Sequence, residues 1–574
     1  MCGIFVAICS PPQIVSQKLR DANAARGPDA RKSCFISLSQ LELELFSSEL
    51  RLRGNDPVVQ PHQRDGNILC WNGEIFAGLD IRADENDGIK LFEQLHSLAT
   101  AQSIRDLFAR IEGPYAFVFY NATAQKLFFS RDPLGRRSLL IHKPSLQNPY
   151  FLLASVSPGS DPGYSFEELE TGYIHCLDLG LSESSDIVSA FDGCLSAIPR
   201  SDSQGNDAYG QPARVNTTLP PNGAPVLPGD NLNAVPEWLQ NPVDGLISQL
   251  DRSIMLKVRD IPQDPLLKGQ SRVAVLFSGG IDSTILTLLA DRHVSRDEPI
   301  DLLNVAFENP RKIKVRQEGN INPNGTKRKS KAPAGAKIAN GSASAHYVEY
   351  MVPDRVTGLQ ELEELRKLCP ERVWNFVEIN VPYRESQATR QHVEGLMNPV
   401  RTVMDLSLAI ALYFASRGIG QIRSKPEDEP IPYTSPAKVL INGLGSDELL
   451  GGYGRHRSAF QTGGWTSVIE ELQLEIDRIP RRNLGRDDRV ISSHGKETRH
   501  PFLSLDVVSF LADLPVQYKM DPRLPLGIGD KMLLRLAARK LGLVEASSRK
   551  KRAMQFGSHS ARMEGDAKGG AQLE

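Results

Sequence analysis

Short apolar runs separated by turn residues occupy the first third of the chain, at 3–8, 68–72, 115–120, 126–130, 138–142 and 151–155. One helical stretch, 88–98, interrupts them, so the pattern predicts a sheet-dominated layered domain up to about residue 180. From about 197 to 236 the sequence turns to Pro, Gly, Asn, Asp and Ser, and reads as a linker or long disordered loop. Apolar positions then return at helical spacing (Leu246, Leu250, Ile254, Val258). Beyond them, strands at 273–277, 302–307, 373–381 and 438–442 alternate with helices at 284–293, 358–368 and 403–417. Such alternation predicts a parallel doubly wound sheet with ligands at its strand C-terminal ends. A polar stretch at 309–345, with basic clusters at 311–312 and 327–331, reads as a solvated disordered insertion rather than a nucleic-acid-binding segment.

The strand at 273–277 stops at Ser278-Gly279-Gly280, and a helical pattern follows Asp282-Ser283. A strand, a glycine turn and a helix leave backbone N–H groups and a helix dipole where an anion can sit. The glycines permit close approach of the backbone, and Ser278 and Ser283 add hydroxyl donors. Asp282 beside phosphate implies a bridging cation, hence Mg²⁺ together with a nucleotide. The Lys of a Walker A motif is absent, which points to cleavage between the α and β phosphates rather than γ-phosphate hydrolysis.

Composition narrows the class. The 574 residues allow two or three domains, and a formal net charge of −2 gives no global bias towards nucleic acid. No apolar run reaches membrane-spanning length, and the N-terminus lacks a basic stretch followed by an apolar core. Seven scattered cysteines without a CxxC pair fit a reducing cytoplasm. The histidines show no zinc-type spacing, and His494 and His500 read as structural or surface groups.

The chain begins Met1-Cys2-Gly3-Ile4. Removal of Met1 would leave a thiol and an α-amine on one residue, and an α-amine with a pKa near ~8 can take the thiol proton. Three further segments stand in order behind it: Arg26-Gly27-Pro28-Asp29, Trp71-Asn72-Gly73-Glu74 and Arg131-Asp132-Pro133-Leu134-Gly135. With Cys2 they resemble the class II glutamine amidotransferase domain, an αββα N-terminal-nucleophile fold. The resemblance implies an oxyanion hole from the Asn72 amide and the Gly73 N–H, with Glu74 at the glutamine site. It also implies Asp87 as partner of the substrate α-ammonium. An Arg would hold the α-carboxylate bidentately; Arg51 and Arg53 both qualify, with Arg53 preferred.

The segment 277–283 resembles the pyrophosphate loop of the ATP pyrophosphatases, and glutaminase-then-pyrophosphatase order is that of glutamine-dependent asparagine synthetase. Asn442 to Glu448 with Gly451-Gly452-Tyr453, Glu497 to Leu503, and Gly529 to Arg535 are similar to three further segments of that family. The fine texture most resembles the asparagine synthetase domain-containing proteins. The resemblance implies domains at 2–185 (glutaminase) and 239–560 (synthetase), a linker at 186–238 and a flexible tail at 561–574. It implies ATP contacts at Leu276, Ser278, Gly279, Gly280, Asp282, Ser283, Asn442, Gly443 and Asp447. Mg²⁺ would lie at Asp282 and Asp447, with Lys531 facing the departing phosphates. Two positions depart from the family: Leu444 replaces a Glu that is a candidate base for ammonia, and the aspartate-binding Arg-Ala-Ser-Thr-Pro segment has no counterpart, Arg401 being the nearest cation. The expected substrates are glutamine, aspartate and ATP, giving asparagine, glutamate, AMP and pyrophosphate. The alternatives are amidation of another carboxylate and a non-catalytic scaffold.

Overall fold

The computed structural model of the chain describes residues 2–10, 17–38, 41–180, 187–201, 208–227, 232, 234–263, 267–309, 349–425, 428–564 and 570–573. Apart from Asn309, the expected insertion at 309–345 lies outside the described residues.

The first half carries β1 (Gly3–Cys9), β2 (Ala30–Leu38), β3 (Leu41–Glu49), β4 (His62–Arg64), β5 (Asn67–Gly73) and β6 (Tyr115–Asn121). It continues with β7 (Lys126–Arg131), β8 (Leu140–His142), β9 (Phe151–Ala154), β10 (Glu167–Glu168), β11 (Tyr173–Asp178) and β12 (Leu195–Pro199). These form two antiparallel sheets, β10-β8-β9-β1-β3-β2 and β12-β11-β7-β6-β5-β4. Alternate residues face inward: Ile4, Val6, Leu43 and Leu45 of one sheet meet Cys70, Val118, Leu127 and Phe129 of the other. Outside, the helix Gln17–Ala25 lays Leu19 on Phe5, Ala7 and Phe46. The helices Asp87–Leu95 and Ala101–Phe108 cover Leu69, Trp71, Phe117 and Phe119 of the second sheet. The stack is therefore αββα. Cys2 opens β1 of one sheet and Asn72-Gly73 closes β5 of the other, so the layering itself brings them to one end.

The second half carries β13 (Val273–Leu276), β14 (Ile300–Phe307), β15 (Trp374–Val381), β16 (Ile419–Ile422), β17 (Ile431–Thr434), β18 (Val439–Ile441) and β19 (Glu497–Arg499). They form one sheet in the order β17-β16-β15-β14-β13-β18-β19. Pairing is parallel from β15 through β19, with β16 and β17 an antiparallel hairpin at the edge. Helices Glu237–Val258, Ile281–Asp291 and Pro353–Leu368 cover one face. Helices Tyr383–Met397, Val403–Arg417 and Leu484–Ser492 cover the other. The connection from β13 runs one way, to β14, and that from β18 runs the other way, to β19, so a crevice opens at the C-terminal ends of β13 and β18.

Two expectations are corrected. The segment 186–238 is not a loose linker over its described residues: β12 pairs with β11, and Val215, Leu227 and Leu232 enter the core of the second half. Buried Arg200 donates to Thr171 O at 2.7 Å, Ser130 Oγ at 2.7 Å and Tyr115 Oη at 2.9 Å. On the other side, Tyr209 Oη donates to Asp506 at 3.0 Å and the Asn216 side chain to Asp513 O at 2.7 Å. Sparse apolar residues suffice because polar side chains supply the anchoring. The tail 561–574 is likewise docked over its described residues. Met563 is buried with the helix Val403–Arg417, Ala571 O accepts from Val403 N at 3.0 Å, and Leu573 N donates to Arg401 O at 2.8 Å.

Candidate active sites

At the meeting of the two antiparallel sheets, Cys2 is buried and its backbone N donates to Asn72 Oδ1 at 3.1 Å. Its thiol accepts from Gln60 Nε2 at 3.5 Å, and Gln60 Oε1 in turn accepts from Trp71 N at 2.9 Å. Asn72 Nδ2 is buried with no hydrogen-bond partner among the described residues. Gly73 follows at the end of β5, where a Cβ would meet Pro114 O and Tyr115 Cβ at 2.7 Å. Burial pushes the Cys2 thiol up to about 12, with the positive N-terminus opposing. A standing thiolate is therefore disfavoured.

The remaining glutamine-site candidates lie alongside. Asp87 Oδ2 accepts from Ile75 N at 2.9 Å and Oδ1 from Gly88 N at 2.9 Å, and burial raises its pKa. Arg53 Nη2 donates to Ile75 O at 3.4 Å, on the same backbone turn as Asp87. Arg51 goes elsewhere: its N donates to Asp29 Oδ2 at 2.8 Å and its side chain lines a cavity with Pro262 and Lys438. The geometry thus favours Arg53 of the two. Glu74 is buried with Oε1 3.2 Å from Arg499 of β19, and burial pushes its carboxyl up to about 8 despite that arginine. Gln60 was not legible from the sequence, because its approach to the thiol depends on where the loop before β4 lies.

The second constellation lies at the β13/β18 crevice. Gly279 has φ +73°, and a Cβ there would meet Gly358 N at 2.5 Å, so the turn is pressed against the first turns of the helix Pro353–Leu368. Ser278 Oγ accepts from Gly280 N at 3.3 Å and Ser283 Oγ donates to Gly280 O at 3.1 Å. Leu276, Ser278, Asp282, Ser283, Asn442, Gly443 and Asp447 line one cavity of about 380 Å³, as the alternation at the switch point requires.

Lys531 sits between the two acids. Its Nζ lies 2.7 Å from Asp282 Oδ2 and 2.7 Å from Asp447 Oδ1, and its side chain is almost wholly buried. Against the pull of burial, Lys531 and then Lys551 hold the Asp447 carboxyl well below the usual carboxylate range. Lys531 itself adopts φ +52°, a left-handed backbone that costs a non-glycine residue about 1–2 kcal/mol. A Cβ on Gly452 would meet Asp447 Oδ1 at 1.9 Å, which is why a glycine stands there. Lys551, Tyr453 and Arg486 complete the cavity wall; Tyr453 stands in the Gly451-Gly452-Tyr453 segment, and no local pattern had marked Lys551. Among the described residues no third acid, His or Cys joins Asp282 and Asp447 as a metal cluster. Two carboxylates are the protein share that suits Mg²⁺ bound together with substrate phosphates, so the donor set fits that ion.

Leu444 lines the same cavity, and the wall from the helix Val403–Arg417 presents Met404, Asp405, Leu408 and Leu412. Arg401 lies apart, in a separate cavity with Pro158 and Asp161.

An N-terminal-nucleophile amidotransferase half joined to an ATP-using synthase half is the class that this fold and these residues define. A family model described as asparagine synthase matches residues 266–374 and 458–571, and one described as a glutamine amidotransferase domain matches residues 42–158. Asparagine synthetase domain-containing protein 1 of Bos taurus is 37% identical, across 98% of this chain and 96% of that protein. The Homo sapiens protein of the same name is 36% identical over 98% and 96%. The asparagine synthetase domain-containing protein CG17486 of Drosophila melanogaster is 30% identical over 98% of each. The chain belongs to the asparagine synthetase domain-containing protein family.

No helix among the described residues is long and apolar enough to cross a membrane.

Proposed function

We propose that this glutamine-dependent amidotransferase makes asparagine, in the cytoplasm, from aspartate, ATP and glutamine. The observation that carries the ATP half is Lys531 held between Asp282 and Asp447 beside the glycine turn. In the first half, Arg53 takes the glutamine α-carboxylate and Asp87 the α-ammonium, with Glu74 close by. The Cys2 sulfur attacks the side-chain amide carbon while the α-amine, free once Met1 is removed, accepts the thiol proton. Asn72 Nδ2 and the Gly73 N–H stabilise the oxyanion. Collapse expels ammonia, its nitrogen taking the proton that the α-amine had accepted, and leaves a glutamyl thioester, which water cleaves to glutamate and the free thiol.

In the second half, a carboxylate oxygen of aspartate displaces pyrophosphate from the ATP α-phosphorus, giving an acyl adenylate. Leu276, Ser278, Gly279, Gly280, Ser283, Asn442 and Gly443 shape the nucleotide seat, and Lys531 faces the leaving pyrophosphate. Asp282 and Asp447 would hold Mg²⁺, whose charge neutralises the pyrophosphate oxygens. Ammonia then attacks the acyl carbon and AMP leaves. Leu444 and the apolar wall of Met404, Leu408 and Leu412 favour a second reading, in which the acceptor is a different carboxylate.

The test incubates purified protein with glutamine, Mg-ATP and a panel of acids, assaying glutamate and pyrophosphate separately. Aspartate-dependent pyrophosphate with asparagine supports the first reading, and pyrophosphate with another acid alone supports the second. Neither product from any mixture would leave the chain a non-catalytic scaffold.

A further inference from the structure

β1 and β3 pair with Gly3 opposite Ser48, Ile4 opposite Ser47 and Val6 opposite Leu45. One step further along that register, Cys2 meets Glu49. Ile4, Val6, Leu43 and Leu45 face the other sheet, so period-two alternation turns Cys2 and Glu49 to the same inner face. Directly opposed residues on one face of an antiparallel pair have Cβ atoms about 4.5–5.5 Å apart. Asn72 reaches this end from β5 on the inner face of the second sheet, two residues after Cys70. Nucleophile, amide and carboxylate thus close the sandwich together.

Two acids act on the Cys2 thiol, Glu49 first and then Glu497. Glu497 is already paired, with Arg137 at 3.0 Å and Arg499 at 2.6 Å. Glu49 differs: it is only 3% exposed, and its Oε2 is buried with no hydrogen-bond partner among the described residues. Burial pushes its carboxyl up to about 7, with Arg51 and the positive N-terminus opposing and Asp29 and Asp87 adding to the rise. A buried carboxylate oxygen without a donor is costly, and removal of Met1 supplies a donor. The peptide nitrogen of Cys2 has one N–H, which goes to Asn72 Oδ1 at 3.1 Å. As an ammonium the same nitrogen has three: one for Asn72 Oδ1, one for Glu49 Oε2 and one for the leaving nitrogen.

We propose that Glu49 is a positioning residue for glutamine hydrolysis, its carboxylate accepting from the α-amine of Cys2 and holding that group as the base beside the thiol. The proton passes from Sγ to the amine as the sulfur attacks. The ammonium so formed rests between Glu49 Oε2 and Asn72 Oδ1, then gives its proton to the departing nitrogen, which leaves as ammonia. Glu49 stays ionised throughout and exchanges no proton. Its charge makes the amine a stronger base than burial alone would leave it. The inference rests on the proposed glutaminase reading.

The experiment has two arms. The first reads the amine without catalysis. In the full-length chain carrying Cys2→Ala, with Met1 shown by mass to be removed, the α-amine is titrated by its rate of acetylation with acetic anhydride. Burial alone would lower its pKa below the ordinary value of ~8, so a value above ~8 is the expected result. Adding Glu49→Gln, which keeps the size and removes the charge, should lower it by roughly one pH unit. The second arm follows glutamate release in the chain that keeps Cys2. Glu49→Gln should lower kcat roughly 10–100-fold with KM for glutamine little changed, and should move the acid limb of the kcat profile to lower pH. Glu49→Asp, which keeps the charge, should recover part of the loss. An α-amine at or below ~8 in Cys2→Ala, or one that Glu49→Gln leaves unmoved, overturns the proposal alone. So does an unchanged kcat in Glu49→Gln. Should Glu49→Gln fail to fold, the amine titration of Cys2→Ala by itself still decides. No glutamate release by the unmutated chain, its Met1 shown to be removed, would overturn the glutaminase reading and this role together.

Discussion

Replacing Lys531 with Met tests the centre of the proposed ATP site without any knowledge of the acceptor. The lysine ammonium lies 2.7 Å from each of two carboxylates, and its side chain is only 2% exposed. Asp447 keeps Lys551 as a partner after the substitution, whereas among the described residues Asp282 keeps only the Ser446 hydroxyl, which donates to it at 2.7 Å. Removing one partner of a buried pair costs about 3–5 kcal/mol, and the surviving Lys551 puts this case at the lower end. In chelator, a loss of about 3 kcal/mol lowers the unfolding midpoint of the synthetase half by on the order of 5 °C. Millimolar Mg²⁺ should return part of that loss, because a divalent cation takes the lysine's place between Asp282 and Asp447. The unmutated chain, with the lysine in place, should gain less from the ion. Differential scanning calorimetry in chelator and in Mg²⁺ reads all four values. A Lys531→Met midpoint within about 1 °C of the unmutated chain in chelator refutes the electrostatic argument. Recovery no larger than in the unmutated chain refutes the assignment of the two aspartates to the metal.

Four further outcomes are expected. Cys2→Ala should end glutamate release yet leave ammonia-dependent synthesis, with stability within about 1 kcal/mol, read by coupled glutamate assay and melting. Burial pushes the Glu361 carboxyl from 4.5 up to about 8, against the nearby Arg549. Its contribution to stability is therefore full below pH 4.5, declines as pH rises through about 8 and is flat beyond. Glu361→Gln should consequently gain stability relative to the unmutated chain as melts move from pH 5 to pH 8, and a constant difference would refute the shift. Arg200→Ala strands four acceptors, three of them buried (Tyr115 Oη, Ser130 Oγ and Arg131 O), and should destabilise the glutaminase half by about 2–4 kcal/mol, visible as an earlier first transition in calorimetry. Leu444→Glu should raise amide formation by about 10²-fold or more if a missing proton acceptor limits ammonia attack, and an inert variant that still binds ATP would point away from aspartate.

The strand, glycine turn and helix at 273–291 were legible because burial on both faces writes a continuous apolar run, and a close backbone approach demands glycine at 279. The long helix Val403–Arg417 was legible for a similar reason, since burial around most of it writes a long apolar run. β3 was harder: Leu41, Leu43 and Leu45 alternate with acids, and Glu44 is buried only because Arg20 and Ser33 reach it. The segment 195–227 was misread because its attachment is polar, resting on Arg200, Tyr209 and Asn216 rather than on an apolar stripe.

The candidate sites divide along the same physical line. Cys2, Asn72, Asp282, Asp447 and Lys531 stand in local motifs, so their chemistry could be expected before their positions. Arg51 and Arg53 share one parity, and a period-two rule cannot separate them. The chain leaves regular β geometry after Glu49, and that departure turns Arg51 towards Lys438 while Arg53 goes to Ile75. β19 is the extreme case: Glu497, Thr498 and Arg499 are all buried, yet they carry none of the apolar signature of a buried strand. Their charges are tolerable because Glu497 and Arg499 pair with each other at 2.6 Å and because Arg137 and Glu74 arrive from the other half of the chain. Apart, the halves would leave Arg137 and Glu74 without these partners. Docking therefore supports the edge of the synthetase sheet as well as the proposed glutamine site, and separating the halves should disturb both.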